Sequence, residues 1–231
     1  MDLELGIDTF GDVTLDSDGT LVSHAQVIRN VVDEAVLAEQ SGLDVFGIGE
    51  HHRDDFAISS PETVLAGIAT RTERLRLASA VTVLSSDDPV RVFERFSTLD
   101  ALSRGRAEVI VGRGSFTESF PLFGFDLANY QELFEEKLAM FVELRKQGPV
   151  TWEGALTQSL HGVAVFPPVE NAPLPTWVAV GGSPESVIRA ARHGLDLMLA
   201  IIGGPVDRFA PFVELYHRAL EQLEQPTGRV G

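Results

Sequence analysis

The 231-residue sequence contains no cysteine. This absence excludes disulfide bonds, thiolate metal sites and a cysteine nucleophile. Basic residues are scarce as well, because 18 Lys and Arg stand against 34 Asp and Glu, which gives a formal net charge of -16. Affinity for polyphosphates and anionic lipids depends on clustered cations. We therefore expect neither a nucleic acid nor a membrane among the partners of this protein.

Long apolar runs are also missing. No stretch approaches the roughly 20 apolar residues that a membrane span needs. The N-terminus lacks the basic region followed by an apolar segment that is typical of a secretory signal. A cytoplasmic protein is therefore expected. With 44% hydrophobic residues, the chain is long enough to form one sizeable core, and residues 1–231 are predicted to form a single domain.

Apolar strand-like runs alternate with amphipathic helical patterns along the chain, which is typical of parallel α/β folds. The predicted strands are 3–10, 43–49, 75–84, 107–111, 176–180 and 195–202. The predicted helices are 23–41, 61–70, 86–102, 130–147, 184–193 and 206–223. Residues 151–152 and 161–166 interrupt this alternation and predict an inserted hairpin before the fifth strand.

The pattern amounts to six βα units, whereas a closed TIM-type barrel has eight. The predicted fold is therefore a TIM-type (β/α) barrel with about six of its eight units in this chain. Residues 228–231 resemble the start of a seventh strand that does not continue. We expect the domain to be C-terminally incomplete, with unpaired backbone at its two edge strands.

Three predicted strands end abruptly at glycine or polar residues. These ends are residues 47–52 (GIGEHH), 109–114 (VIVGRG) and 177–183 (WVAVGGS). In a parallel barrel all strand C-termini converge on one face, where function is built from the βα loops. Two histidines, an arginine and a Gly-Gly-Ser turn are therefore expected to share one site.

Two of these strand ends have the character of an anion site. Arg113 lies between two glycines, which permit close approach of a ligand, and its guanidinium can bind a phosphate bidentately. Gly181, Gly182 and Ser183 lead into a helix whose N-terminus favours anions, and Ser186 follows one turn later. For Arg113 the alternative is a surface ion pair. An ordinary helix cap at Ser183 is compatible with the anion site, because a phosphate would occupy the site that the cap organises.

His51 and His52 are the candidate acid-base residues, because imidazole titrates near neutral pH. Adjacent residues of an extended strand point to opposite faces, so one ring is expected to face the site and the other to pack behind it. A structural role for both is the alternative. Glu50 is predicted to be a buried, hydrogen-bonded orienting residue.

Other classes of site lack support. Residues 112–114 do not form a dinucleotide-binding glycine motif, and no serine lies in a nucleophile elbow. His51 and His52 are adjacent to each other and near two aspartates, a poor spacing for one metal centre, so no metal site is predicted. Ser85 and Ser86 are open to two roles, ligand contact or helix capping. Four phenylalanines could line a substrate pocket or cover the barrel rim: Phe116, Phe120, Phe123 and Phe125.

The ordered set of motifs resembles the bacterial luciferase-like flavin-dependent monooxygenases and oxidoreductases, over essentially the whole chain. The matching segments are 50–52 (EHH), 75–84 with 88–91 (DPVR), 99–106 (LDALSRGR), 111–114 (VGRG), and 181–183 (GGS) with 190–194 (AARHG). The resemblance implies a monooxygenase that uses reduced FMN and O2 on a small organic substrate. It also implies a separate flavin reductase that supplies the reduced flavin, and a homodimer.

The resemblance implies roles for individual residues as well. His51 matches the catalytic histidine of the family. Ala80 and Val81 match a non-proline cis peptide that lies under the flavin ring. The flavin phosphate would be bound by Arg113, Gly181, Gly182, Ser183 and Ser186. Two alternatives stay open: a dehydrogenase that uses the deazaflavin coenzyme F420, and a noncatalytic flavin-binding protein.

Overall fold

The computed structural model describes residues 3–170, 173–203 and 205–231. The strands are β1 (Gly6–Thr9), β2 (Val45–Ile48), β3 (Arg76–Ser79), β4 (Thr82–Val83), β5 (Ala107–Gly112), β6 (Val150–Trp152), β7 (Leu160–Val163), β8 (Thr176–Val180) and β9 (Asp196–Leu199). The helices are α1 (His24–Gln40), α2 (Pro61–Ala69), α3 (Pro89–Ser103), α4 (Ser119–Phe123), α5 (Tyr130–Arg145), α6 (Pro184–Arg192) and α7 (Ala210–Gln222).

One parallel sheet contains all six predicted strands, in the order β1-β2-β3-β5-β8-β9. Every neighbouring pair in this order is parallel, so the predicted α/β class is confirmed and the sheet is a half-barrel. The predicted third strand is divided into β3 and β4, which both pair with β5. The break lies at Ala80 and Val81, whose peptide bond is cis.

The predicted hairpin and tail are both confirmed. Strands β6 and β7 are antiparallel and form a separate two-stranded sheet. A carboxylate of α5, that of Glu136, holds the turn between them by accepting the backbone N–H groups of residues 155–157. At the other end, Val230 forms a parallel bridge with Leu197 of β9. Residues 228–231 therefore begin a further parallel pairing.

Helix caps explain where several helices begin. Ser23 caps α1, as predicted, by accepting the N–H of Gln26 at 3.3 Å. Helix α3 begins at Pro89 and not at residue 86, because the Asp88 carboxylate accepts the first free N–H groups of the helix. Of the two roles left open for Ser85 and Ser86, capping of this helix is therefore not the one that the structure shows. The prediction that the last helix begins at residue 206 also needs correction, since residues 206–209 form a 3₁₀ turn before α7.

Helices pack against one face of the sheet and form the main core, which includes Phe46, Phe93 and Phe141. The opposite face of the sheet, the inner face of the half-barrel, carries a smaller cluster of Ala78, Ile110 and Trp177. The Trp177 Nε1 donates to the Glu108 carboxylate at 2.6 Å. Among the described residues, no helix is both long and apolar enough for a membrane crossing.

Candidate functional site

The ends of β5 and β8 bring the predicted anion-binding residues to one edge of the sheet. Val111 lies opposite Val178 in the parallel register of these strands. Arg113 therefore follows β5 at nearly the same level as Gly181 follows β8. The carboxyl edge of a parallel sheet is where ligands bind in α/β proteins, so these two loops face the same space.

Arg113 lacks an acidic partner within the part of the chain that the structure describes. Its guanidinium carbon lies 5.4 Å from the centre of the Tyr130 ring. The Tyr130 hydroxyl donates to the carbonyl of Gly114 at 3.0 Å, and burial raises the pKa of this phenol. The aromatic ring thus supports the arginine side chain without neutralising it. The alternative of a surface ion pair is not what the structure shows.

The Gly-Gly turn leaves open space in front of α6. A Cβ added to Gly181 or Gly182 would meet no atom within 4 Å, and Gly182 has a φ of +120°, which favours glycine. Ser183 caps the helix and accepts the Ser186 N–H at 3.4 Å. The predicted cap is present. Pro184 has no N–H, and the Ser186 and Val187 N–H groups donate to Ser183. The helix start therefore offers an anion its positive dipole end and the Glu185 N–H.

Sequence reasoning missed a buried arginine beneath this helix start. Arg189 is only 6% exposed. Its Nη1 donates to the Ser186 Oγ at 2.9 Å, and its Nε donates to the Glu135 carboxylate of α5 at 2.5 Å. The signal in the sequence was the spacing of three residues between Ser186 and Arg189, which places both on one face of a helix.

His51 lies in an aromatic environment. Its ring stacks on Phe56 with 4.3 Å between ring centres, and the edges of Phe10 and Phe116 approach it at 5.0 and 5.2 Å. Burial lowers the pKa of the imidazole below its ordinary value of 6.5. A neutral imidazole carries one N–H and one free lone pair, so this side chain can accept a proton at a ring nitrogen.

His52 has a different environment from its neighbour, although both side chains are partly buried. Which of the two rings faces a ligand stays a prediction. The His52 Nε2 lies 2.8 Å from one oxygen of the Glu50 carboxylate, and the other oxygen accepts the Val83 N–H at 2.8 Å. The edge of the Phe123 ring contacts His52 with centres 5.0 Å apart. Glu50 is thus the buried orienting residue that the sequence predicted, and it links the β2 loop to β4.

A cavity of about 220 Å³ opens beside His52. Its wall includes Glu62 and Asp87, and burial raises the pKa of both carboxyl groups. Arg95 of α3 forms ion pairs with both. No sequence motif marks these three residues, because each follows a turn or lies on a helix without a recognisable pattern.

Ala80 and Val81 lie at the carboxyl end of the inner face, packed against the Ala78, Ile110 and Trp177 cluster. Both are partly exposed. A Cβ added to Gly112 of β5 would come within 2.7 Å of the Val81 side chain. Gly112 therefore permits β5 to pass close to the segment that the resemblance implies lies under the flavin ring.

The remaining candidates divide into exposed and buried groups. Phe116 and Phe123 are 37% and 49% exposed, at the rim of the site. Phe120 is buried, and Phe125 lies under the Lys137 ammonium at 3.7 Å. Ser86 bonds the Ser119 hydroxyl. Within the described ranges, no group of three or more side chains is arranged to hold a metal ion.

Comparison with known proteins gives a consistent result. A family model described as luciferase-like monooxygenase matches residues 9–230. The N-acetyl-S-alkylcysteine monooxygenase of Bacillus subtilis is 32% identical over 180 residues, which is 76% of this chain and 52% of that protein. The alkanal monooxygenase alpha chain of Photorhabdus luminescens is 28% identical over 222 residues, 92% of this chain and 59% of the relative. The chain thus spans about half the length of such curated relatives.

Solved structures share the fold over nearly the whole chain. The monooxygenase RslO1 of Streptomyces bottropensis matches with a TM-score of 0.86 and 25% sequence identity. The match covers 99% of this chain and 69% of the RslO1 chain. The oxygenating constituent of 3,6-diketocamphane monooxygenase from Pseudomonas putida, in complex with FMN, has a TM-score of 0.83, 21% identity and coverages of 99% and 65%. An F420-dependent secondary alcohol dehydrogenase has a TM-score of 0.80, 16% identity and coverages of 98% and 66%.

Proposed function

The chain belongs to the luciferase-like monooxygenase family, and from this premise we propose that it is a flavin-dependent oxidoreductase that binds reduced FMN. We propose further that it monooxygenates a small organic molecule with O2. The chain covers about half the length of its curated relatives. We therefore also propose, and do not infer from those relatives, that the whole protein is active, forms a homodimer and receives reduced flavin from a separate reductase.

One observation carries the proposal. Arg113, which has no carboxylate partner among the described residues, lies beside the open Gly-Gly-Ser turn at the start of α6. Arg113 supplies a cation, and Gly181 and Gly182 leave space that a side chain would otherwise fill. The N-terminus of α6 adds a backbone donor and a positive dipole end. This combination of donors fits the phosphate of FMN.

Other parts of the site suit a flavin ring. Ala80 and Val81 present small, partly exposed apolar side chains on the inner face, below the level of the anion-binding loops. When bound, reduced FMN supplies the electrons that O2 needs. The protein contributes an apolar surface that excludes water from the reacting atoms.

His51 is the proposed catalytic residue. Its burial among Phe10, Phe56 and Phe116 favours the neutral imidazole, so the ring accepts a proton at one nitrogen and holds another on the second. General acid-base catalysis requires such a group within reach of the reacting atoms. The apolar rings around it favour an apolar substrate portion near His51.

A flavin titration tests the proposal. Purified protein is titrated with FMN, riboflavin and F420 while flavin fluorescence is followed, alongside the variant Arg113→Ala. We expect FMN to bind and the variant to lose about 1.5 to 3 kcal/mol of binding free energy, the scale of a hydrogen bond to a charged group. Arg91→Ala is the matched control, since Arg91 is 74% exposed on α3.

The outcomes separate the alternatives. Unchanged FMN affinity in Arg113→Ala would remove Arg113 from the phosphate site. Preference for F420 over FMN would favour a deazaflavin-dependent dehydrogenase. FMN binding without turnover of any substrate under reductase-coupled conditions would favour a noncatalytic flavin-binding protein. In an active enzyme, His51→Ala is expected to lower kcat more than FMN affinity.

A further inference from the structure

We propose that Arg189 is a positioning residue that orients the Ser186 hydroxyl as a hydrogen-bond donor toward the phosphate site at the start of α6. This inference rests on the proposed function, because it takes the start of α6 to be the phosphate site. Arg189 itself is buried below that site. The starting observation is the contact between the Arg189 Nη1 and the Ser186 Oγ, at 2.9 Å.

The hydrogen-bond chemistry of arginine gives this contact a direction. A guanidinium has only donors and no acceptor. The Ser186 Oγ must therefore accept from Arg189, and the hydroxyl hydrogen of Ser186 has to point elsewhere. The Ser183 Oγ lies 3.4 Å away, on the side of the helix start. The Ser186 hydroxyl donates to this Ser183 oxygen. Ser186 is thus held as a donor at the helix start, and a bound anion would take over this hydrogen bond from Ser183.

The position of Arg189 is itself determined by a second helix. Its Nε donates to the Glu135 carboxylate of α5 at 2.5 Å, and its guanidinium carbon lies 5.4 Å from the centre of the Phe134 ring. Arg189 is 6% exposed and Ser186 is 3% exposed. Its partner Glu135 has a side chain that is 40% exposed, so the arginine is the buried member of this ion pair and carries the desolvation cost. An orienting role for Arg189 gives this arrangement a function beyond packing.

A merely structural role is the rival explanation, since Arg189 also joins α6 to α5. The two roles differ in what a variant does to ligands with and without a phosphate. Loss of a structural contact would weaken FMN and riboflavin alike. Loss of donor orientation would weaken only FMN, because riboflavin has the same ring system and no phosphate.

The test measures the affinities of FMN and riboflavin for wild type and for Arg189→Ala, Arg189→Lys, Ser186→Ala and the double variant. We expect Arg189→Ala to weaken FMN roughly tenfold, within the range of a charge-assisted hydrogen bond, and to leave riboflavin unchanged. Arg189→Lys should recover part of the loss. The double variant should bind FMN no more weakly than Ser186→Ala, because the two residues act in series. Arg192→Ala is the matched control, as Arg192 is an exposed arginine on the same helix.

The results distinguish a positioning role of Arg189 from a structural one. Equal losses for FMN and riboflavin, or additive losses in the double variant, would overturn the positioning role. FMN affinity that falls in Arg113→Ala but not in Arg189→Ala would reject the inference and leave the proposed function intact. A wild-type chain that binds no flavin would reject both. If Arg189→Ala lowers the melting temperature too far for titration, Arg189→Lys and Ser186→Ala still provide the comparison.

Discussion

The hydroxyl of Ser183 already has a negatively charged partner. It donates to the Glu185 carboxylate at 2.8 Å, and this hydrogen bond lowers the pKa of that exposed carboxyl group. Glu185 lies in the first turn of α6, where an anion is favoured by the helix dipole. A bound phosphate would compete with Glu185 for the same hydroxyl and the same positive potential.

We therefore predict that Glu185→Gln tightens FMN binding by roughly two- to fivefold, the size of a charge effect at an exposed helix N-terminus. The gain should shrink at high salt, because exposed charges are screened. Flavin fluorescence titrations at two ionic strengths measure both effects. Glu132→Gln is the control, since Glu132 is an exposed acidic residue in the first turn of α5. An equal gain in the control would indicate a general effect of net charge.

Protonation of His51 is predicted to destabilise the folded chain. Its pKa is lowered from 6.5 by burial, so below about 6.5 the unfolded chain binds a proton that the folded chain resists. The contribution of the neutral His51 ring to the free energy of unfolding is fully present above this pH. It is lost as the pH falls toward the lowered pKa of the folded state. Urea unfolding at pH 7.5 and 5.5 should show a smaller loss for His51→Gln than for wild type. His217→Gln, at an exposed position, should lose as much stability as wild type.

At the scale of elements, one arginine joins three of them at the amino-terminal side of the sheet. The Arg106 guanidinium donates to the carbonyls of Ala69 at the end of α2 and of Ser103 at the end of α3. It also donates to the carbonyls of Thr72 and Leu75, which lie between α2 and β3. Ala69 and Ser103 are the last residues of their helices, where carbonyl groups lack partners within the helix. The side chain thus caps two helices and fixes the entry into β3.

Arg106→Ala is predicted to lower the free energy of unfolding by about 2 to 4 kcal/mol, because several buried acceptors lose a charged donor. Denaturant unfolding measures this loss. Arg104→Gly is the contrasting variant two residues away. Arg104 ends α3 with a φ of +59°, which favours glycine, so this change is expected to leave stability equal or higher. A loss of similar size in both variants would contradict the capping role of Arg106.

The sequence was sufficient for elements with strong periodicity and clear caps, such as α1 with Ser23. It failed where tertiary contacts outweigh local pattern. Helix α4 was missed because its five residues are too few to show a helical period. The third strand looked continuous, since the apolar run through Ala80 and Val81 does not reveal the break between β3 and β4.

For the site, strand ends located Arg113, His51 and the Gly-Gly-Ser turn, because a parallel sheet gathers its carboxyl ends on one edge. The partners of these residues were harder to predict. Phe10 and Phe116 reach His51 from other loops. Arg189 resembles an ordinary surface arginine until the packing of α5 on α6 is known. Such contacts depend on distances between elements, which local sequence does not specify.

At the scale of the molecule, the half-barrel has an open side at β1. This strand pairs with β2, and its other edge has no strand partner within the described residues. Ile7 of this strand is 46% exposed, and Leu3 and Leu5, which precede the strand, are 84% and 55% exposed. An exposed apolar edge strand is a site for pairing with another chain.

We therefore predict concentration-dependent self-association of this chain through β1, measured by sedimentation velocity. Ile7→Lys should shift the distribution toward the monomer, because an edge lysine opposes strand pairing. Leu37→Lys is the control, since Leu37 is 60% exposed on α1. If the two variants reduce association equally, net charge and not the strand edge is responsible.

The environments of the two tryptophans have a practical consequence for spectroscopy. Trp177 lies on the inner face of the half-barrel with the Arg229 guanidinium 4.3 Å above its ring, whereas Trp152 lies in the hairpin and donates to the Thr157 hydroxyl at 2.9 Å. The sequence has no other tryptophan. Intrinsic emission from a Trp152→Phe variant would therefore report on the half-barrel alone, and emission from a Trp177→Phe variant on the hairpin alone, so that the order in which the two parts melt becomes visible without any added dye.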